Sequence, residues 1–189
     1  LPDERFVDCG AYDGITIKHF LKRQKEFKGK IIAYEPDPQN YNLLKQYITN
    51  LDESTRNSVI HLPYAVGARR EKVHFNATGT MGSTISNEGT TEVTCVTLDE
   101  NLGEIHTRPT YIKMDIEGSE LEALAGARNI IQKEMPILAI CLYHRYDDLW
   151  RIPLFINSLT DKYRLFLRSH EIENWQLVCY AVPKHRLKI

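Results

Sequence analysis

No apolar run in this sequence approaches the ~20 residues that span a bilayer, so a membrane-spanning helix is not expected. No signal-peptide pattern is visible either. Charge of one sign is also missing: 24 Lys and Arg stand against 25 Asp and Glu, a formal net charge of −1. Such a balance does not suit a protein built to grip phosphate backbones or an anionic membrane surface, and neither partner is expected. Cysteine is scarce and shows no C-x-x-C spacing. Cys9, Cys95, Cys141 and Cys179 are scattered, each in an apolar, strand-like run. They read as buried reduced thiols, ahead of a zinc site or a disulfide, which points to the cytoplasm. Proline and glycine do not gather into a linker, and no segment repeats at a fixed period. Residues 1–189 therefore read as one domain.

What is present is an alternation of apolar strands with amphipathic helices. Arg5–Cys9, Lys30–Tyr34, Ser58–Pro63, Thr110–Met114 and Ile137–Leu142 read as strands, and Tyr163–Leu167 and Gln176–Val182 as a closing pair joined by the turn "EIENW". Helices are expected from Gly14 to about Gln24, over Asn40–Ile48, from Ser119 with punctuation at Gly126, and over Asp148–Leu159 with a bend or break near Pro153. Two β-rich pieces, Lys72–Phe75 and Glu92–Val96, flank "GTMGSTISNEGTT", whose residues favour turns; this stretch reads as a functional or a mobile loop. The alternation implies an α/β fold with a mainly parallel sheet covered on both faces. In such sheets ligands bind beyond the carboxyl ends of the strands, so the residues just after each strand hold the chemistry.

After the first strand comes "DCGAYDG", with Asp8, Gly10, Ala11, Asp13 and Gly14. Glycine lets a backbone turn tightly and approach a ligand, and the loop feeds a helix N-terminus. The dinucleotide spacing G-x-G-x-x-G is absent. Asp8 at the strand end would face a pyrophosphate unfavourably, but suits a ligand carrying positive charge, such as the sulfonium and amino groups of S-adenosylmethionine. Glu35, at the end of the second strand in "YEPDP", can accept from both ribose hydroxyls of a nucleoside. Ala65 and Val66, in "YAVGARR", leave room for a flat ring and are assigned to an adenine pocket. After the fourth strand, "KMDIEGSELEAL" gathers Asp115, Glu117 and Glu120 around Gly118. Asp115 and Glu117 fall over the expected cleft, while Glu120 reads as a residue of the helix start. His144, in "CLYHRYDD", leaves the fifth strand at the same edge, as a catalytic or substrate-contacting candidate.

On these motifs the chain resembles the FkbM-type S-adenosylmethionine-dependent methyltransferases. "FVDCGAYDG" and "AYEPDP" look like that family's first two motifs, and "MGSTIS" followed by "VTCVTLDE" like its Gly-Ser-Ser/Thr loop and the segment after it. "YIKMDIEGSELEALAGA" is similar to its most distinctive stretch, and "LYHRYDDL" to the segment near its fifth strand. Asp13 departs from the pattern, since members usually carry Asn there. The resemblance implies a class I methyltransferase fold, a Rossmann-like three-layer sandwich whose seven-stranded, mostly parallel sheet has its last strand antiparallel. It also implies methyl transfer to oxygen, often a hydroxyl of a sugar or a natural product.

The expected mechanism is an in-line displacement at the sulfonium methyl group. Asp8, Gly10 and Asp13 would hold the methionine end, with Gly14 helping the turn and Ala11 also counted as cofactor-binding; Glu35 would hold the ribose, and Asp115 is a candidate for both cofactor binding and catalysis. His144 is the first candidate for the base, with Glu117 and Asp115 next. Ser83 and Thr84 are candidates for closing over the cofactor or the acceptor, a small molecule or carbohydrate, and Tyr143 for stacking on a sugar ring. A divalent cation between Asp115, Glu117 and His144 is a second version, with the metal-free one preferred. A nicotinamide-dependent oxidoreductase and a non-catalytic cofactor-binding module remain as alternatives.

Overall fold

The computed structural model describes residues 1–24, 26–170 and 176–187. The "EIENW" turn lies outside the described residues. The chain runs β1 (Arg5–Cys9), α1 (Ile15–Lys22), β2 (Lys30–Tyr34), α2 (Pro38–Thr49), α3 (Glu53–Arg56) and β3 (Val59–Leu62). Four strands follow without an intervening helix: β4 (Tyr64–Val66), β5 (Glu71–Asn76), β6 (Thr84–Ile85) and β7 (Thr91–Val96). The second half contains α4 (Leu98–Glu104), β8 (Tyr111–Met114), α5 (Glu120–Ala125), α6 (Arg128–Glu134), β9 (Ile137–Cys141), α7 (Asp148–Leu159), β10 (Tyr163–Ser169) and β11 (Leu177–Pro183).

Seven strands form the central sheet in the order β10-β11-β9-β8-β1-β2-β3. Within it β11 alone runs antiparallel to its neighbours β9 and β10. The sheet is buried on both sides because its strands are apolar at successive positions. In β1 and β2, Phe6, Ile31 and Ala33 pack on one face with Ile17 of α1 and Leu44 and Ile48 of α2. Val7, Cys9, Ile32 and Tyr34 pack on the other with Leu102, Leu124, Ile131, Ile152 and Ile156 of α4 to α7. Side chains alternate across a strand, so one apolar run serves two helix layers. Each such aliphatic side chain contributes about 1.5–3 kcal/mol on full burial, which makes these two layers the main stabilising term. The four cysteines are buried and free. The Tyr34 hydroxyl satisfies itself inside this core by donating to Asn101 Oδ1 at 2.7 Å.

The middle of the chain departs from a simple alternation. Residues 64–96 build a separate four-stranded sheet, β4-β7-β5-β6, rather than two isolated β pieces and a loop. Helix α4 follows from the T-x-x-E pattern at Thr97, whose side chain accepts from Glu100 N–H at 3.2 Å. Helix α7 runs without a break through Pro153. Among the described residues, no helix is long and apolar enough to cross a membrane.

Sheet register positions the site. Cys9 pairs with both Tyr34 and Met114, and Met114 with Ile140. Gly10, Glu35 and Asp115 therefore leave the sheet at one level, beside Cys141 at the end of β9. Strand β1 is also where the strand order reverses, since β2 lies on one side and β8 on the other. That is the place where open α/β sheets bind ligands.

Candidate active site

A cavity of about 320 Å³ opens at this point, bordered by Gly10, Glu35, Lys113 and Asp115 from the sheet edge. Ala65, Val66 and Phe75 of the small sheet form its apolar side, and Thr80, Met81 and Ser83 cover it. The floor depends on Gly10. Its φ is +78°, and a Cβ there would sit 2.0 Å from the Asp115 carbonyl oxygen, so no other residue fits. Gly10 and Ala11 N–H both donate to the Tyr34 carbonyl at 3.0 Å, which clamps the turn against β2.

Lys113 braces the turn from beneath. Its Nζ lies 3.0 Å from Asp8 Oδ1 and donates to the Gly10 carbonyl at 2.8 Å. Asp8 is 0% exposed and does not border the cavity. Burial works against the Lys113 ammonium, but the Asp8 and Asp115 carboxylates outweigh it and hold its pKa above the ordinary lysine value. Burial pushes the Asp8 carboxyl up, with Lys113 opposing it, and the two groups face each other inside the protein.

Glu35 is 5% exposed and borders the cavity. Its Oε2 accepts from Tyr12 N–H at 2.8 Å and its Oε1 from Asp37 N–H at 3.0 Å. These bonds fix the carboxylate and leave a further lone pair on each oxygen. Burial pushes its pKa up to about 7 despite both bonds. Beside it, Asn40 Oδ1 is buried with no hydrogen-bond partner, while its Nδ2 donates to the Thr80 carbonyl at 2.9 Å.

Asp37 ties the cover down. As the cap of α2 it accepts from Gln39 and Asn40 N–H, with Pro38 beginning the helix. Its second oxygen accepts from Ser83 Oγ at 2.7 Å and from Gly79 N–H at 3.0 Å. The turn-rich stretch is thus anchored at the helix start. Ser83 borders the cavity, whereas Thr84 turns away and donates to the Glu117 carbonyl at 3.1 Å.

An acidic cluster forms the far wall. Tyr143 OH donates to Asp115 Oδ1 at 2.7 Å. Glu117 adopts a left-handed backbone, φ +53°, followed by Gly118 at +89°. Such a conformation costs a non-glycine residue about 1–3 kcal/mol, and it turns the carboxylate toward His144. His144 Nε2 lies 3.4 Å from Glu117 Oε1 and 3.4 Å from Asp115 Oδ1. Its Nδ1 lies 2.9 Å from Oε1 of the wholly buried Glu120, an oxygen that also accepts from Ile116 N–H at 2.8 Å. Burial raises the Glu117 pKa, with Asp115 and Glu120 adding to it and His144 opposing. Burial works against the His144 imidazolium, but Glu120, Glu117 and Asp115 outweigh it, so its pKa rises.

Of the residues singled out in the sequence, the structure brings Gly10, Glu35, Ala65, Val66, Ser83, Asp115, Glu117 and Tyr143 to one cavity. Asp8, Ala11, Asp13, Gly14, Thr84 and His144 stand outside its lining. Asp13 Oδ1 accepts from Ile15 N–H at 3.0 Å, helping to start α1, and Gly14 is the cap of that helix. Sequence reasoning passed over Lys113, Asp37, Asn40 and the role of Glu120. The Asp-Pro pair was a readable helix start, but its tie to a loop more than forty residues away was not.

A seven-stranded sheet of this order, with one reversed strand and a glycine turn and acid at the point where the strand order reverses, is the architecture of a methyltransferase. The comparisons narrow this to a family. The model of the methyltransferase FkbM domain matches residues 8–171, and the chain belongs to that family. The crystal structure of methyltransferase FkbM from Methylobacillus flagellatus is 30% identical, with a TM-score of 0.81 over 95% of this chain and 44% of that one. Hexuronic acid methyltransferase AglP of Haloferax volcanii is 30% identical over 112 residues, 56% of this chain and 44% of AglP. The chain thus spans under half the length of both. Fibrillarin from Aeropyrum pernix, solved with S-adenosyl-L-methionine, shares the fold at 13% identity, with a TM-score of 0.58 over 96% of this chain and 68% of that one.

Proposed function

We propose that this chain transfers a methyl group from S-adenosylmethionine to a hydroxyl oxygen of a sugar or other small hydroxylated acceptor. The observation that carries this reading is Glu35. A nearly buried carboxylate that borders the cavity, its two oxygens fixed by backbone N–H groups and each with a further lone pair to offer, fits the two hydroxyls of a ribose. The rest of the cradle suits the same ligand. The Gly10 turn admits a close backbone approach, Ala65 and Val66 offer a flat apolar wall for adenine, and Asn40 Oδ1 is a buried acceptor in need of a donor. Asp8 acts from behind, through Lys113 and the Gly10 carbonyl.

When bound, the cofactor supplies an activated methyl group: the S–C bond breaks as the O–C bond forms, and sulfur keeps the electron pair. The chain aligns the partners and takes the proton. Aligning the reacting atoms at ~3–3.5 Å accounts for several kcal/mol of the barrier. Glu117 borders the cavity and is poised above the usual carboxylate range, so it receives the hydroxyl proton, with His144 behind it. Such assistance is worth about 10²–10⁴-fold. Asp115, Ser119 and Tyr143 add polar contacts of the kind a polyhydroxylated acceptor needs, and the likeness to a hexuronic acid methyltransferase supports a sugar. The test is a product search. Incubation with methyl-labelled cofactor and a panel of nucleotide sugars, glycans and small hydroxylated metabolites should label one class on oxygen. Label on none of them, with the cofactor bound, would favour a non-catalytic module.

A further inference from the structure

We propose that Asp115, Glu117 and His144 form a divalent-cation site whose open side faces the cavity. The starting point is the tautomer of His144. Glu120 is wholly buried, and its Oε1 sits 2.9 Å from His144 Nδ1. A carboxylate oxygen can only accept, so Nδ1 carries the hydrogen. In the neutral ring that an ion requires, Nε2 then presents a lone pair. His144 is 7% exposed, and Nε2 is buried without a hydrogen-bond partner. Two carboxylate oxygens, Asp115 Oδ1 and Glu117 Oε1, face it, each at 3.4 Å.

Three electron-rich atoms converging at the cavity edge, with Nε2 buried and the two carboxylates partly exposed, repel one another unless something positive lies between them. The spacing fits an ion. Ligands at about 2.1 Å from a metal lie ~3.0 Å apart along an octahedral edge and ~3.4 Å along a tetrahedral one. All three donor atoms lie within 4.8 Å of one another, so a small inward movement of the carboxylates closes the shell. A proton on Nε2 would relieve the repulsion less well, because 3.4 Å exceeds the about 2.7–2.9 Å of a charge-assisted hydrogen bond.

The surroundings agree. Metal-binding histidines usually donate their other N–H to a carboxylate, and metal-binding carboxylates are themselves hydrogen-bonded. Here Glu120 holds His144, and Tyr143 OH holds Asp115 at 2.7 Å. Two carboxylates and one imidazole suit Mn²⁺ or Mg²⁺, with Zn²⁺ also within reach of the set. Asp115 and Glu117 border the cavity, so the remaining coordination positions point there. They would be filled by an acceptor with neighbouring oxygen donors, a vicinal diol or a hydroxy-carboxylate. That role rests on the methyl-transfer reading; the binding of the ion does not. With the ion in place, Nε2 is a ligand and the hydroxyl proton passes to the second oxygen of Glu117.

The experiment is a Mn²⁺ titration of the full chain, first stripped with chelator, following free Mn²⁺ by electron paramagnetic resonance. One saturable ion per chain is expected, displaced by excess Mg²⁺ or Zn²⁺. The Asp115→Asn/Glu117→Gln double variant should weaken binding at least 100-fold, and His144→Gln at least tenfold, in protein whose circular dichroism matches the parent. Absence of saturable binding by the parent, or unchanged binding in the double variant, would overturn the site. A parallel calorimetric titration with S-adenosylmethionine in chelator keeps the two readings apart. Cofactor binding without Mn²⁺ binding sinks the ion and leaves methyl transfer standing.

Discussion

Lys113 Nζ stands 3.0 Å from Asp8 Oδ1, beneath the Gly10 turn that borders the cavity. The pair couples stability to function. The same ammonium that neutralises Asp8 also holds the Gly10 carbonyl, and Gly10 forms the floor of the cavity. An acid at the end of β1 therefore shapes the site without entering it.

Removing one member of this pair strands the other in the core. Lys113→Met is expected to cost about 3–5 kcal/mol in chemical denaturation, because Asp8 would be left buried and unpaired. The Asp8→Asn/Lys113→Met double variant should recover most of that loss. A single variant as stable as the parent would mean that the brace contributes nothing.

Glu35 makes both stability and cofactor affinity depend on pH. Its folded pKa of about 7 lies above the 4.5 of the free side chain. Between these values the folded state holds more protons than the unfolded one, so this group's contribution to stability falls as pH rises toward 7 and recovers as pH falls. Ribose hydroxyls donate to the ionised form. Affinity should therefore rise with pH through about 7 and level off above it. Calorimetry between pH 6 and pH 8 checks this, and Glu35→Gln should flatten the profile.

Asp37 and Ser83 separate helix capping from loop anchoring. Asp37→Ala removes the α2 cap and the tie to Gly79 and Ser83 together, and should cost about 1–2 kcal/mol. Ser83→Ala removes only the Ser83 half of the tie, leaves Gly79 N–H on Asp37, and should leave the melting temperature nearly unchanged. Amide hydrogen exchange around residues 79–84 should speed up in both, and more in Asp37→Ala. Fast exchange there in the parent would show that the anchor does not hold in solution.

The large features were legible because they are local. Apolar runs such as Lys30–Tyr34 mark strands buried on both faces, and Glu35 and Asp115 announce themselves by following such runs. The resemblance supplied the seven-stranded sheet with its last strand antiparallel; the strand order came with the structure. What stayed hidden depends on partners far apart in sequence. Asp8 reads as a ligand-facing acid until Lys113 is seen to claim it. Thr84 reads as a cavity residue until its hydroxyl is found on the Glu117 carbonyl. Glu120 looks like a residue of the helix start, yet its main partner is His144, with α6 and β9 between them in the chain. Of the small sheet, β5 and β7 were legible as Lys72–Phe75 and Glu92–Val96, but β4 and β6 are too short to carry an apolar pattern, so the pairing stayed hidden.

The most direct test of the account is calorimetric titration of the chain with S-adenosylmethionine, beside NAD and beside the Glu35→Ala variant. Hydrogen bonds to a charged group are worth about 1.5–3 kcal/mol, so the account predicts one cofactor per chain, no binding of NAD, and a loss of roughly 10- to 100-fold in affinity without the Glu35 carboxylate. Binding of NAD in place of S-adenosylmethionine, or an affinity indifferent to Glu35→Ala, would contradict it.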